Sequence, residues 1–186
     1  MVHSTESKSS LYETLCADLR GASIRHAGIL AMVGYLPVRP GWLAVVLYRL
    51  SAACIHKGMF GKIAAKFFWR FNVFVNGCDI SPLAVIGAGL IIHHPVGIVI
   101  GPVTIGQNVT ILQNVTLGLR RASDDPDNPQ NYPKIEDGVI IYSGAVVTGD
   151  IRIGANSSIG ANAVVIGDVP PNSTVVGIPG RIVSKP

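Results

Sequence analysis

Two histidines stand side by side, His93 and His94, and Asp79 precedes the second by fifteen residues. Imidazole is the side chain whose ordinary titration lies closest to neutral pH. A carboxylate that accepts its Nδ1 proton fixes the tautomer and leaves Nε2 free to act as a base. Such a pair needs a fold that brings segments fifteen residues apart into contact. Chain coils stacked about 4.8 Å apart would do so, setting a carboxylate in one coil beside an imidazole in the next. On spacing alone the alternative stays open: a surface histidine at a turn, with no chemistry. Zinc is the weaker reading of the same residues. A catalytic zinc takes three protein ligands, adjacent histidines in an extended chain point to opposite sides, and no histidine follows His94. No metal site is expected.

The required coils are written in the second half of the chain. Ile135, Ile141, Val147, Ile153, Ile159 and Val165 follow one another in steps of six. Four residues after each come Val139, Ala145, Ile151, Ser157, Ala163 and Val169, all small or β-branched. A six-residue period is neither that of a helix nor that of a strand. It is the mark of a hexapeptide parallel β-helix, in which each flat face uses one repeat. The aliphatic residue points inward, and Gly or Asn supplies the tight corner. The same frame runs back through Leu117, Ile111, Ile105 and Val99, and earlier through Ile92, Ile86 and Ile80. Between Ile92 and Val99 the step is seven, so one residue is inserted beside the two histidines. The solenoid is expected over residues 78–171, with Pro170 and Pro171 ending the regular coils and 172–186 as a tail. Residues 118–134 keep the register but are polar and broken by proline. A long loop thrown from one corner of a regular scaffold is more often functional than decorative. Its aspartates Asp124, Asp125 and Asp127 are read as a solvated turn.

Composition agrees with a β-solenoid: 48% of the residues are apolar and only 14% charged. The net charge of +4 is too mild to argue for nucleic acid, and no basic stripe interleaved with aromatics occurs. Cys16, Cys54 and Cys78 are odd in number and widely spaced, which suits a reducing compartment and forms no metal motif. The polar first ten residues lack the apolar core of a secretory signal. Charges at Arg49, Lys57, Lys62, Lys66 and Arg70 interrupt every apolar run before it reaches the ~18 residues of a membrane span. The expectation is a cytoplasmic protein.

Residues 1–77 read as a helical segment. Ser10 with Glu13 forms a capping box for a helix over 11–20. Further helices are expected over 23–35, 41–56 and 61–75. The last carries Phe67, Phe68, Trp69, Phe71 and Phe74 beside Lys62, Lys66 and Arg70. This helix either caps the first coil and meets neighbouring subunits, or makes peripheral contact with the inner face of a membrane. Sedimentation with anionic liposomes separates the two.

Several stretches, taken together, are specific. Cys78-Asp-Ile-Ser-Pro82, the run Ile86 to Gly101 containing Ile-Ile-His-His94-Pro-Val-Gly, and Ile111-Leu-Gln-Asn-Val-Thr-Leu-Gly118 resemble the serine acetyltransferase family. Val175-Val-Gly-Ile-Pro-Gly-Arg-Ile-Val183 is similar to that family's closing motif, with Gly180 where Ala is usual. Pro40 to Ser51 is similar to its last N-terminal helices. The resemblance spans roughly residues 40–186. It implies a left-handed β-helix, a homotrimer with active sites between subunits, and direct transfer of an acetyl group from acetyl-CoA to an acceptor hydroxyl. His94 matches the family's catalytic histidine and Asp79 its partner. Gly118, Ser143, Gly144, Ala161 and Arg181 match contacts to coenzyme A.

The departures concern the acceptor. The family usually has Asp just before the catalytic histidine, where this chain has His93. It has Arg-His before the proline of the long loop, where this chain has Asn131-Tyr132. Loss of the acid removes a partner for an ammonium, and loss of the Arg removes bidentate recognition of a carboxylate. An uncharged acceptor is therefore expected, a saccharide of exopolysaccharide or capsule biosynthesis, held by His93, Asn131 and Tyr132. The His-His step and the short apolar N-terminal helices resemble the acetyltransferases of those pathways. Serine O-acetylation in cysteine biosynthesis is the alternative, and a non-catalytic trimeric scaffold is a further one.

Overall fold

The computed structural model describes residues 10–21, 28–121, 123–126 and 128–183. Within them, four helices lead into fifteen short strands. The helices are α1 (Leu11–Gly21), α2 (Ile29–Gly34), α3 (Pro40–Cys54) and α4 (Gly58–Asn76). The strands stack into three sheets, each supplied with one strand per coil. The first holds β1 (Asp79–Ile80), β4 (Val99–Ile100), β7 (Thr116–Gly118), β10 (Val146–Thr148) and β13 (Val164–Val165). The second holds β2 (Val85–Ile86), β5 (Thr104–Ile105), β8 (Lys134–Ile135) and β11 (Arg152–Ile153). The third holds β3 (Ile91–Ile92), β6 (Thr110–Ile111), β9 (Ile140–Ile141), β12 (Ser158–Ile159) and β14 (Thr174–Val176), with β15 (Arg181–Val183) antiparallel at its end. This is a left-handed parallel β-helix with N-terminal helices.

The six-residue period decides the core. Ile105, Ile135 and Ile153 stack in the second sheet, and Ile111, Ile141 and Ile159 in the third, all nearly or fully buried. Each such side chain stabilises by about 1.5–3 kcal/mol when fully buried. Corners are turned by residues in the left-handed region. One corner stacks Gly97 (φ 74°), Asn114 (φ 59°), Gly144 (φ 73°) and Asn162 (φ 57°). Only Gly and Asn adopt this conformation readily.

Two sequence expectations need correction. Val99 is not an inward residue: it is 46% exposed, and Ile100 is buried and pairs with Ile80 and Leu117. The step from Ile92 to the next inward residue is therefore eight, followed by a step of five to Ile105. The two irregular steps sum to the same total as seven and six, which is why the pattern alone chose the wrong residue. The regular stacking also runs past Pro170 and Pro171, because β14 still pairs in parallel with β12.

The helices sit on the first coil. α1 starts with the expected capping box: Ser10 N–H donates to Glu13 Oε2 (2.8 Å) and Glu13 N–H to Ser10 Oγ (3.2 Å). The second expected helix is seen only as α2, since residues 22–27 lie outside the described residues. α3 is buried through Trp42, Ala44, Val45, Leu47, Tyr48 and Arg49. Arg49 forms a buried ion pair with Asp18 of α1, Nε to Oδ2 at 2.9 Å, and donates to the carbonyls of Ile86 and Gly87 (both 2.6 Å). Asp18 Oδ1 in turn accepts from the N–H groups of Gly89 (2.7 Å) and Leu90 (2.9 Å). One charge pair thus ties two helices to the turn between β2 and β3. α4 ends at Gly77 in the left-handed region and leaves Phe60, Ile63, Phe67, Phe71 and Phe74 exposed along one side. No helix among the described residues is long and apolar enough to cross a membrane.

Candidate active site

The irregular step places His93 and His94 outside the solenoid wall. They follow β3 directly, and both are exposed. The chain returns through Gly97, whose N–H donates to the Gly77 carbonyl (2.9 Å), and Ile98, whose carbonyl accepts from Asp79 N–H (2.8 Å). Asp79 therefore stands in the first strand beside the closing end of the histidine loop, half-buried. The two expected partners share one neighbourhood, but among the described residues no hydrogen bond joins them. Asp79 Oδ1 instead accepts from the indole N–H of Trp69 in α4 (2.7 Å). Trp69 is itself covered by Arg70, whose Cζ lies 4.6 Å from the ring centroid. The neighbouring Cys78 is buried, and desolvation pushes its thiol up to about 12, with the Asp79 charge adding to it. It is an inert core residue.

Below the histidine loop runs the corner between the third and first sheets. Its successive coils are joined by hydrogen bonds from Asn114 N–H to the Val96 carbonyl (3.0 Å), Gly144 N–H to Gln113 (3.0 Å) and Asn162 N–H to Ser143 (2.9 Å). Ser143, Gly144 and Ala161 thus occupy one edge, in the coils beneath Val96 and Gly97 at the closing end of the histidine loop. A Cβ on Gly144 would clash with Asn162 Oδ1, so the edge stays narrow. Gly118 is placed differently, at the far end of β7 at the next corner, where a Cβ would meet nothing within 4 Å. Arg181 opens β15 and is exposed, on the last pairing of the third sheet. The structure brings three of the five expected cofactor positions to one edge and leaves two apart.

The loop residues have other work. Tyr132 is only 5% exposed. Its ring packs on Gly101, where any Cβ would clash with Tyr132 Cε1, and its hydroxyl donates to the Pro126 carbonyl (3.1 Å). A ring held in the core is not offered to a sugar for stacking. Asn131 closes a short 3-10 turn (Pro129–Asn131), and its Nδ2 donates to the Asp125 carbonyl (3.0 Å). Both residues anchor the loop in this chain. Asp124 caps a local turn by accepting from Arg121 N–H (2.9 Å), as expected of a solvated turn, and Asp127 lies outside the described residues.

A cavity of about 360 Å³ opens beside His93 and His94. Its opposite wall is the start of α3, Arg39 to Trp42. The approach is close enough that a Cβ on Gly41 would stand in the carbonyl oxygen of Ile92. In the sequence Trp69 stands out only as one of the aromatics of the last helix, and Gly41 and Arg39 are assigned no place at the site. The helical pattern around them carried no local sign of a site, because each reaches it only by packing against another segment. Among the described residues, no three His, Cys, Asp or Glu side chains converge as a metal site would require.

Residues 132–167 match the family described as bacterial transferase hexapeptide (six repeats). Over 169 residues the chain is 38% identical to a serine acetyltransferase of Mycobacterium tuberculosis, covering 90% of this chain and 71% of that one. It is 47% identical over 124 residues to a serine acetyltransferase of Staphylococcus aureus, covering 66% of this chain and 56% of that one. The chain thus spans little more than half of the staphylococcal relative. Among solved structures, Neisseria gonorrhoeae serine acetyltransferase in complex with serine superposes with a TM-score of 0.79 at 34% identity, over 94% of this chain and 69% of that one. A serine acetyltransferase in complex with CoA superposes with a TM-score of 0.78 at 32% identity, over 94% and 70%.

Proposed function

Because the chain belongs to the serine acetyltransferase family, whose members are acetyl-CoA-dependent O-acyltransferases, we propose that it transfers an acetyl group from acetyl-CoA to the hydroxyl of L-serine, with His94 as general base. The observation that carries this reading is the histidine loop closing at the same corner that carries Ser143, Gly144 and Ala161 in later coils, in a chain whose relatives at 38% and 47% identity are named serine acetyltransferases.

His94 takes the proton of the acceptor hydroxyl as its oxygen attacks the thioester carbonyl. Backbone N–H groups stabilise the oxyanion that forms. Collapse of the tetrahedral intermediate breaks the C–S bond, and the imidazolium returns the proton to the leaving thiolate. Asp79, oriented by Trp69, favours the imidazolium in this cycle. Its contact with His94 forms when the substrates fill the site, since catalytic hydrogen bonds are commonly long before binding. The small residues of the edge let the pantetheine arm approach, and Gly118 and Arg181 contribute from the neighbouring solenoid of a homotrimer. The exposure of His94 fits a site completed by a second subunit.

A saccharide of exopolysaccharide or capsule synthesis has weaker support than the sequence suggested. Two of the residues that favoured it, Asn131 and Tyr132, hold the loop together, and the matched relatives are named for serine. His93 and the short apolar N-terminal helices still favour it. Release of free thiol from acetyl-CoA, followed with L-serine and with a panel of sugars in parallel, tests the proposal. Turnover with serine is expected, and turnover with sugars alone would overturn it.

A further inference from the structure

The pattern of α4 is the reverse of that expected for a helix packed on a core. A surface helix ordinarily turns its apolar stripe inward. In α4 the covered side, turned to α3 and β1, is small and polar. Gly61 lies where any Cβ would clash with the Cys54 carbonyl, and the Ala65 carbonyl accepts from Ser51 Oγ (2.8 Å). Asn72 Nδ2 donates to the Ala44 carbonyl (3.1 Å), and Asn76 Nδ2 to Asn72 Oδ1 (2.9 Å). The side facing water carries Phe60, Ile63, Phe67, Phe71 and Phe74 at steps of three and four, one continuous stripe of the helix. Phe67 and Phe71 stack along it, ring centroids 5.9 Å apart. Lys62, Lys66 and Arg70 follow one flank of the stripe at steps of four, all exposed and none in an ion pair with a described residue. The helix has no acidic side chain.

We propose that the outer side of α4 docks on an anionic lipid bilayer, the helix lying in the plane of the interface with its rings at the boundary of headgroups and acyl chains. An apolar stripe flanked by cations is the pattern of an interfacial helix. The long lysine stems let the ammonium groups reach anionic headgroups while the rings stay among the acyl chains. The cations also choose between the occupants an apolar stripe could have. A second copy of α4 across a two-fold axis would set Lys62, Lys66 and Arg70 against their own equivalents, with no acidic side chain on the helix to answer them. A negative surface answers all three. The contact is peripheral, since no described helix is long and apolar enough to cross a bilayer. Trp69, on the opposite side of the helix, holds Asp79, so docking sets the candidate site about one helix diameter from the lipid. Docking requires no particular acceptor or activity.

Flotation of the full chain is compared on vesicles of phosphatidylcholine alone and of phosphatidylcholine mixed with phosphatidylserine. The protein is expected to rise with the mixed vesicles, to bind the neutral ones much less, and to be released in part by high salt. Lys62→Gln with Lys66→Gln is expected to weaken partitioning onto the mixed vesicles roughly 25-fold, from about fivefold for each cation near an anionic surface. Phe60→Ser with Phe74→Ser is expected to weaken it about 100-fold or more, from about tenfold or more for each buried ring. All four residues are exposed and outside the candidate site, so Tm, assembly on a sizing column and thiol release are expected unchanged in both double variants. Wild-type protein that does not float with the mixed vesicles overturns the proposal, as does flotation that survives both double variants. A change of assembly in Phe60→Ser with Phe74→Ser, with flotation kept, gives the stripe to a protein contact and overturns it too.

Discussion

Replacement of His94 by Ala is expected to lower turnover by roughly two to four decades, the usual loss for a positioned general base. Asp79→Asn lowers it less, because the carboxylate acts through the imidazole. Trp69→Phe removes the indole N–H that holds Asp79 Oδ1. It is expected to lower turnover less again and to leave the KM for acetyl-CoA unchanged. Single-turnover rates of the three variants check this order. Wild-type rates for both His94→Ala and Asp79→Asn would remove the pair from the mechanism and return the scaffold reading. His93 is the other residue to test. It lines the cavity at the start of α3, and the acceptor panel repeated on His93→Asp reports on it.

At the scale of elements, the joint between helices and solenoid is the vulnerable one. Arg49→Met leaves Asp18 charged, buried and short of its partner, and it orphans the carbonyls of Ile86 and Gly87. Removing one member of a buried pair costs about 3–5 kcal/mol. Urea unfolding is expected to show a loss of that size, and the double variant Asp18→Leu with Arg49→Met a loss smaller than the sum of the two. The same joint gives a pH dependence. Burial pushes the Tyr48 hydroxyl, which donates to the Ala84 carbonyl, up to about 12, and the Cys78 thiol also to about 12. Both groups are held neutral in the fold. Their contribution is complete below the unfolded-state values near 9–10 and is lost as pH rises through the folded values. Tm is therefore expected to fall steadily above about pH 9–10, and less steeply in Tyr48→Phe.

At the scale of the whole molecule, the exposed face of α4 and the open histidine loop both call for something beyond one chain. A trimer is expected by light scattering on a sizing column. Phe60 and Phe74 are 82% and 87% exposed, on a helix with Lys62, Lys66 and Arg70 and no acidic residue. Flotation with anionic liposomes tests whether this face meets a bilayer. Sedimentation free of the liposomes, with trimers intact, would give the face to protein contacts.

The architecture was legible because it is periodic. Each coil repeats the same demand for an aliphatic residue inward and a Gly or Asn at the corner, so six matches at one spacing specify a solenoid without any knowledge of contacts. His94 and Asp79 could be named because short motifs around them are specific, and the capping box because its partners are three residues apart. The remainder is long-range. The choice of Ile100 over Val99 depends on which strand each faces, since steps of seven and six have the same sum as eight and five. Arg49 meets Asp18 and Trp69 meets Asp79 only after helices pack on the first coil. Tyr132, which by type suited a sugar, is drawn into the core by the bare backbone of Gly101. Arg39 reaches the histidines because Gly41 has no side chain to hold α3 away from β3. A sequence records the residues that repeat locally. Which buried partners a polar side chain finds is decided by the packing of segments distant along the chain.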